Sequence, residues 1–218
     1  MSMLPKLEEL DVDGAIREAA SKVDGDTRAA FLKKAGIGAG AVVAGGAFAG
    51  VIPGIASAGV AASDVAILNF ALTLEYLEAA FYAEAVTKGR FSGKTGAFAK
   101  VVAQHEAAHV AFLKSALGSA AVKKPSFDFK GTTTNKAKFM ATAQVLEDTG
   151  VAAYLGQAGN IKSKKILSAA GSILAVEARH AGWVRDLNNV SGAPAAFQGS
   201  KTKAQILSAV KGTGFIVG

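Results

Sequence analysis

Two four-residue stretches decide the fold of this chain: EAAH at residues 106–109 and EARH at residues 177–180. In each stretch a glutamate stands three residues before a histidine. Residues three apart on a helix lie on one face, so each pair points a carboxylate and an imidazole toward one spot. The chain has only three histidines, and two of them stand in this arrangement. The pattern therefore predicts two helices that present matched oxygen and nitrogen ligands.

A second glutamate precedes each of these stretches within an apolar helical pattern. Glu75 lies before the first stretch and Glu147 before the second, and each is followed seven residues later by a tyrosine, Tyr82 or Tyr154. Seven residues are close to two helical turns, so each tyrosine returns to the face of its glutamate about 10 Å further along. A hydroxyl placed there can hydrogen-bond a carboxylate from a neighbouring helix and so orient a metal ligand. The second half of the chain thus repeats the first.

The order Glu, Glu-x-x-His, Glu, Glu-x-x-His resembles that of the ferritin-like superfamily. The stretch LNFALTLEYLEAAFY at residues 68–82 is similar in particular to an exported bacterial branch related to desiccation-associated proteins. The resemblance covers about residues 63–190 and implies an all-α fold, an antiparallel four-helix bundle with one long crossover between its second and third helices. It also implies two iron or two manganese ions, with the ligands Glu75, Glu106, His109, Glu147, Glu177 and His180.

Helical patterns and the glycines that interrupt them predict four long helices and a short fifth, at residues 63–88, 95–117, 135 to 156–159, 163–189 and 203–210. The link at 118–134 is the only long connection, and an extended chain of that length can run back along the bundle. We expect Phe127 and Phe129 of this link to pack on the bundle exterior. The tail at 191–218 contains no motif that indicates a chemical function.

Three further polar residues lie close in sequence to the expected ligands. Glu78 follows Glu75 by one helical turn, and its alternatives are a supporting or additional ligand, a bridging carboxylate, a proton relay, or a solvent-facing residue. His105 directly precedes a ligand and points roughly 100° away from it, which predicts a surface or ligand-supporting position. The same reasoning predicts a surface position for Asp148.

The N-terminal region, residues 1–62, differs from the rest of the chain. A polar segment is followed by TRAAFLKK at residues 27–34 and by an uncharged stretch at 35–63 that contains ASA at 56–58, a small-x-small cleavage pattern. These features resemble a twin-arginine export signal, although Ala29 stands where the second arginine would be. They predict export to the periplasm, the cell envelope or the medium. An uncleaved membrane anchor and a packing helix of a cytoplasmic protein stay open as alternatives.

Composition excludes several classes of protein. Half of the 218 residues are hydrophobic, and cysteine is absent, which excludes disulfides, thiolate metal sites and cysteine nucleophiles. From residue 59 onward, 18 Lys and Arg stand against 10 Asp and Glu. These basic residues are dispersed, without a groove-reading motif or an aromatic platform, so we expect no nucleic-acid partner. Whether the chain forms a homo-oligomer stays open.

The resemblance leaves three functions to weigh. The first is an exported dinuclear metalloprotein that reacts with oxygen or peroxide as a ferroxidase or catalase does, with Glu106 and Glu177 bridging the ions. The second is a structural, stress-protective bundle in which metal is incidental. The third is iron storage, ranked last because mineral nucleation favours acidic surfaces and the chain has few acids beyond its ligands. No catalytic residue is predicted beyond the ligands themselves.

Overall fold

A computed structural model describes residues 60–217 of the chain, which are mainly helical. Four long helices and a shorter fifth, α1 to α5, span Ala62–Glu84, Gly93–Leu117, Lys136–Ala158, Lys164–Leu187 and Lys203–Thr213. A π-helical turn at Ala85–Gly89 follows α1, and a 3-10 turn at Gly118–Ala120 follows α2. Two short strands, β1 at Ser126–Phe127 and β2 at Ile216–Val217, pair in antiparallel register. The prediction of a mainly helical domain is confirmed, whereas the predicted export signal lies largely outside the described residues.

The first two helices form an antiparallel hairpin. Near one end, the side-chain amide of Asn69 donates a hydrogen bond to the carbonyl of Ala120 at 2.8 Å. Further along α1, the ring of Tyr82 packs edge-on against that of Phe98, with 5.8 Å between ring centroids. Residue numbers therefore rise along one helix as they fall along the other. This direction brings the middle of α1 opposite the middle of α2.

The third and fourth helices form a second antiparallel hairpin. The side-chain amide of Asn188 donates to the carbonyl of Met140 at 3.1 Å. One to two turns along, Arg185 pairs with Asp148 at 2.8 Å. Both side chains of this ion pair are only partly exposed. Asp148, for which a surface position is predicted, therefore lies at the outer contact between α3 and α4. The two hairpins then pack on each other, α1 against α3 and α2 against α4.

The link between α2 and α3 contributes to the core. Phe129 is 3 % exposed, and its ring packs edge-on against Phe81 at 5.4 Å and against Phe215 at 5.5 Å. The expectation that it lies on the bundle exterior is therefore wrong, while Phe127 is half-buried. The reason is the C-terminal tail, because β2 pairs with β1 and carries Phe215 over the link.

Two apolar clusters fill the interior of the described domain. One includes the fully buried rings of Phe81, Phe98 and Phe139, and Tyr82 belongs to it. The other contains Leu72, Leu113 and Tyr154, with further aliphatic residues. Both predicted tyrosines are thus fixed by apolar packing before any polar contact is considered.

Asp64 ties the start of α1 to the start of α4. Its carboxylate is fully buried and accepts hydrogen bonds from the backbone N–H groups of Lys162 and Ser163, each at 2.9 Å. Replacing it by alanine leaves two amide donors without an acceptor, and we expect Asp64→Ala to lower the free energy of unfolding by about 3 kcal/mol. Urea denaturation measures this loss, with Asp64→Asn as the matched variant of intermediate stability. A loss below about 0.5 kcal/mol, the range of ordinary surface substitutions, would contradict the assignment.

Among the described residues, one helical segment, Ala62–Gly89, is long and apolar enough to cross a membrane by length and composition alone. It is α1 with its π-helical turn, and 61 % of its most apolar window is buried within the domain. The core helix of a bundle passes the same test, so this segment is weak support for a membrane span.

Candidate metal centre

The four long helices bring the six predicted ligands together. All four glutamates are fully buried, and the side chains of the two histidines are 3 % and 11 % exposed. Helix α1 supplies one glutamate and α3 another, while α2 and α4 each supply a Glu-x-x-His pair: Glu75, Glu147, Glu106 with His109, and Glu177 with His180. That these residues bind metal stays a prediction, but their convergence is a feature of the structure.

One group of ligands surrounds the ring of His109. Its Nδ1 atom lies 3.3 Å from Glu75 Oε2, 3.2 Å from Glu106 Oε2 and 3.1 Å from Glu177 Oε1. Three carboxylates from three different helices therefore approach a single imidazole nitrogen. The packing of α1, α2 and α4 fixes this group.

A second group surrounds the ring of His180. Its Nδ1 atom lies 3.2 Å from Glu106 Oε1 and 3.3 Å from Glu147 Oε2. The oxygen of Glu106 that faces His180 is the one that does not face His109, so this carboxylate reaches both groups. Glu177 also belongs to both groups, and within each group the ligand atoms lie within 4.8 Å of one another. Each group could hold one metal ion, and Glu106 and Glu177 are placed to be shared.

The two predicted tyrosines reach across from one hairpin to the other. The hydroxyl of Tyr82 on α1 donates to Glu147 on α3, and that of Tyr154 on α3 donates to Glu75 on α1. Each hydrogen bond leaves one carboxylate oxygen free to face the ligand groups. The orientation of each glutamate is thus fixed by a tyrosine of the opposite hairpin. Hydrogen bonds from residues around a metal site orient its ligands in the same way.

His105 lies closer to the site than its direction along α2 suggests. Its ring is exposed on one side, stacks on that of His180 at an interplanar angle of 16°, and places Nδ1 2.8 Å from His180 Nε2. It is therefore both a surface residue and a neighbour of a ligand. The sequence signal for this contact is its spacing from His109, since residues four apart share a helix face.

Glu78 points inward, so its solvent-facing alternative is wrong. Its side chain is 3 % exposed, and it makes no hydrogen bond or ion pair within residues 60–217. It does not belong to either ligand group. Helix α1 carries apolar residues around most of its circumference, so it has no polar face on which the side chain of Glu78 could reach solvent.

The chemistry of the donor set fits two cations. Five buried atoms of Glu106, Glu147, Glu177 and His180 have no hydrogen-bond partner among the described residues. Buried carboxylates without partners are costly because they lose their hydration. Four carboxylates carry four negative charges when ionised, which two divalent ions balance. Oxygen ligands with two imidazoles suit iron and manganese.

In the protein without metal, the burial and close packing of these carboxyl and imidazole groups shift their pKa values. Burial, reinforced by neighbouring carboxylates, raises the pKa of Glu106, Glu177 and Glu78 well above 4.5. Burial opposes the charging of His109, but the close approach of its Nδ1 atom to three carboxylates outweighs this effect and raises its pKa. Burial likewise opposes the ionisation of Glu75, yet the hydrogen bond and charge of His109 leave its pKa lowered.

Stability should depend on pH in opposite ways with and without metal. For Glu106 and Glu177 in the metal-free protein, the stabilising protonation is fully present below pH 4.5 and is lost as pH rises toward their raised folded pKa values. The contribution of His109 is complete below pH 6.5 and also falls at higher pH. We therefore expect the Tm of chelator-treated protein to fall between pH 5 and pH 8. Metal competes with these protons, so the Tm of the loaded protein should rise over the same range. Parallel thermal melts test this, and equal slopes would contradict it.

This is a helical domain in which carboxylates and imidazoles are buried together. Proteins of this class could hold metal ions between their helices. A family model described as a ferritin-like domain matches residues 63–190, which is more than half of the chain. The chain belongs to the family of ferritin-like domains, and the predicted membership of the ferritin-like superfamily is confirmed. No curated protein matches the sequence. The narrower resemblance to exported, desiccation-associated proteins stays a prediction.

Proposed function

We propose that this chain holds a dinuclear iron or manganese centre and reacts with oxygen or peroxide. The observation that carries the proposal is the pair of buried ligand groups, each with one histidine, which share Glu106 and Glu177. Five buried polar atoms in these groups lack hydrogen-bond partners among the described residues, and metal ions bound there would supply them. A pair of ions in such a set supplies redox chemistry toward small oxygen species when bound.

Each protein group has a separate task in this proposal. Glu75 and His109 would hold one ion, and Glu147 and His180 the other, while the two shared glutamates would hold both. The outer glutamates, Glu75 and Glu147, each belong to one ligand group only. Tyr154 and Tyr82 keep them in position by donating hydroxyl hydrogen bonds to them. The surrounding apolar clusters exclude water from the ligands, which strengthens every electrostatic interaction among them.

The exposed His105 has a supporting task. If His180 binds through Nδ1, which faces the carboxylates, its proton lies on Nε2 and is donated to His105 Nδ1. This contact fixes the tautomer and the ring orientation of His180. It also makes His105 the point at which the ligand set approaches the surface of α2.

Metal content tests the proposal most directly. We expect protein purified from its native compartment to contain close to two iron or manganese ions per chain by mass spectrometry. The double variant His109→Ala with His180→Ala should contain none, whereas the control Lys114→Ala, at an exposed position of α2 outside both ligand groups, should keep both ions. No stoichiometric metal in the wild-type chain would overturn the proposal and favour the stress-protective bundle.

The metal found selects the reaction to assay. Iron calls for oxygen uptake on addition of Fe²⁺, and manganese calls for oxygen release from hydrogen peroxide. Activity should follow the metal content of the histidine variants. We rank iron storage last because the described domain has only a few acidic residues outside the ligand region, among them Glu84, Asp128 and Asp186. Failure of both assays with loaded protein would leave metal binding in place but contradict the redox role.

We also propose that the chain is exported, and its N-terminal segment supports this. The segment combines TRAAFLKK, an uncharged stretch and a small-x-small pattern at 56–58. Cleavage after Ala58 would leave Gly59 as the first residue. Cell fractionation and intact-mass measurement of the purified chain test the idea. An intact chain in the cytoplasm would contradict export, and an intact chain in the membrane would favour an anchor.

A further inference from the structure

The two tyrosines that hold the outer glutamates lie in different surroundings. The ring of Tyr82 is fully buried and packs edge-on against Phe98 and Phe139, at 5.8 Å and 5.9 Å between ring centroids. Tyr154 is 8 % exposed, and its ring forms part of the wall of an apolar cavity. The two halves repeat in sequence, but bulky rings fill the space around one tyrosine while a cavity adjoins the other.

This cavity lies between α1, α3 and α4, and small side chains leave room for it. Ala71 of α1, Ala153 of α3 and Ala170 of α4 all line it. Its volume is about 20 Å³, and about 10–15 Å³ is enough for one water molecule, so the cavity has room for one small molecule. Its lining is almost entirely apolar. Cavities of this kind stay dry and take up apolar guests such as xenon.

The cavity extends from the surface of the domain toward the ligand layer. Among its lining residues, Ile67 and Gln157 are half-buried and so reach the surface. Leu74 and Tyr154 line it as well and are buried. Leu74 directly precedes Glu75 in the sequence, and the hydroxyl of Tyr154 donates to Glu75. A molecule in the cavity would therefore contact the side chain that holds a predicted metal ligand.

The apolar lining distinguishes between the two oxidants considered above. Dioxygen is an apolar diatomic molecule that needs no hydrogen-bond partner. Hydrogen peroxide carries two hydroxyl groups, and burial of a hydroxyl without a partner costs about 1–3 kcal/mol. The hydroxyl of Tyr154 already donates to Glu75, so its hydrogen is not available to a guest. The cavity therefore favours dioxygen over both peroxide and water.

We propose that this cavity binds dioxygen and supplies it to the dinuclear centre from the side of Glu75 and His109. This inference rests on the proposed function and deepens it, because it names dioxygen rather than peroxide as the substrate. It also assigns the two halves of the bundle different tasks. Aromatic packing rigidifies the half around Tyr82, whereas the small residues around Tyr154 admit the substrate.

Dissolved oxygen is paramagnetic, so its position in the protein can be measured without any turnover. The full chain is supplied with diamagnetic Zn²⁺, and methyl relaxation rates are compared under oxygen pressure and under argon. We expect oxygen to increase the relaxation of Leu68, Ala71 and Ala153, which line the cavity, more than that of Val102 and Leu113, which are comparably buried and lie outside its lining. Equal increases in the two sets would overturn the inference.

Filling the cavity tests its role in the reaction. Ala71→Val adds two carbon atoms to the wall, and Ala66→Val is the matched control because it makes the same change at an exposed position of α1. We expect Ala71→Val to abolish the oxygen effect on Leu68 and Ala153. It should also raise the KM for oxygen in the Fe²⁺ assay about tenfold, the order that one methylene group in an apolar pocket is worth. Its metal content and kcat should stay unchanged, and Ala66→Val should match wild type throughout.

The outcomes separate this inference from the proposed function. An unchanged KM for oxygen in Ala71→Val with normal metal content would overturn the inference alone. A wild-type chain that consumes peroxide but not oxygen would do the same. A wild-type chain that binds neither iron nor manganese would overturn the proposed function and this inference together. If Ala71→Val does not fold, the relaxation measurement on wild type still decides whether the cavity takes up oxygen.

Discussion

Removal of the ions of the proposed dinuclear centre by a chelator should lower the Tm by about 20 °C near neutral pH. Each ion held at a free concentration of 1,000 times its Kd stabilises the folded chain by about 4 kcal/mol. Two ions therefore contribute about 8 kcal/mol, and 1 kcal/mol shifts the Tm of a domain of this size by roughly 2–4 °C. The structural cause is the set of fully buried glutamates, which lose their counter-charges when the metal leaves.

Thermal melts in the presence and absence of chelator measure this shift. The double variant His109→Ala with His180→Ala is the matched control, because it should melt at one temperature under both conditions. Return of metal to the chelated wild type should restore its Tm. A wild-type Tm that does not respond to chelator would mean that the domain is stable without metal, as a purely structural bundle would be.

Loss of one shared glutamate should release both ions, whereas loss of an outer glutamate should release one. Glu177 belongs to both ligand groups, and both of its side-chain oxygens lack hydrogen-bond partners among the described residues. Glu147 belongs to one group only. Glutamine keeps the size of the side chain but removes its charge, so Glu177→Gln should weaken both sites by more than about 100-fold, beyond the effect of outer-sphere partners.

Dialysis followed by ion counting separates the two variants. We expect wild type to keep two ions per chain, Glu147→Gln to keep the single ion held by Glu75 and His109, and Glu177→Gln to keep none. Manganese titration followed by electron paramagnetic resonance gives the affinities in the same samples. If both variants lose one ion each, Glu177 is not shared and the bridging assignment is wrong.

The convergence of the six predicted ligands was predictable from sequence because the signals for it are local and repeated. A Glu-x-x-His pair fixes its own geometry on a helix, and the seven-residue interval to Tyr82 and Tyr154 placed both hydroxyls on the correct faces. The helix bounds followed from the glycines and polar links between apolar runs. These signals depend on residues within two helical turns of each other, and such spacings can be read directly from the sequence.

Contacts between segments that lie far apart in the sequence were harder to predict. The strands at Ser126–Phe127 and Ile216–Val217 are two residues long, too short to show an alternating pattern, so the burial of Phe129 beneath the tail was missed. The inward direction of Glu78 was also undecided, because α1 is apolar on most sides and does not show which face meets solvent. Only the packing of four helices decides such orientations.

The exchange of hydrogen bonds by Tyr82 and Tyr154 has a consequence for how the two hairpins depend on each other. Each hairpin carries one glutamate, one Glu-x-x-His pair and one tyrosine, but its tyrosine serves the glutamate of the other hairpin. A single hairpin is therefore chemically incomplete, and two identical copies would complete each other by the same exchange. The domain therefore has the internal arrangement that a symmetric dimer of one such hairpin would have.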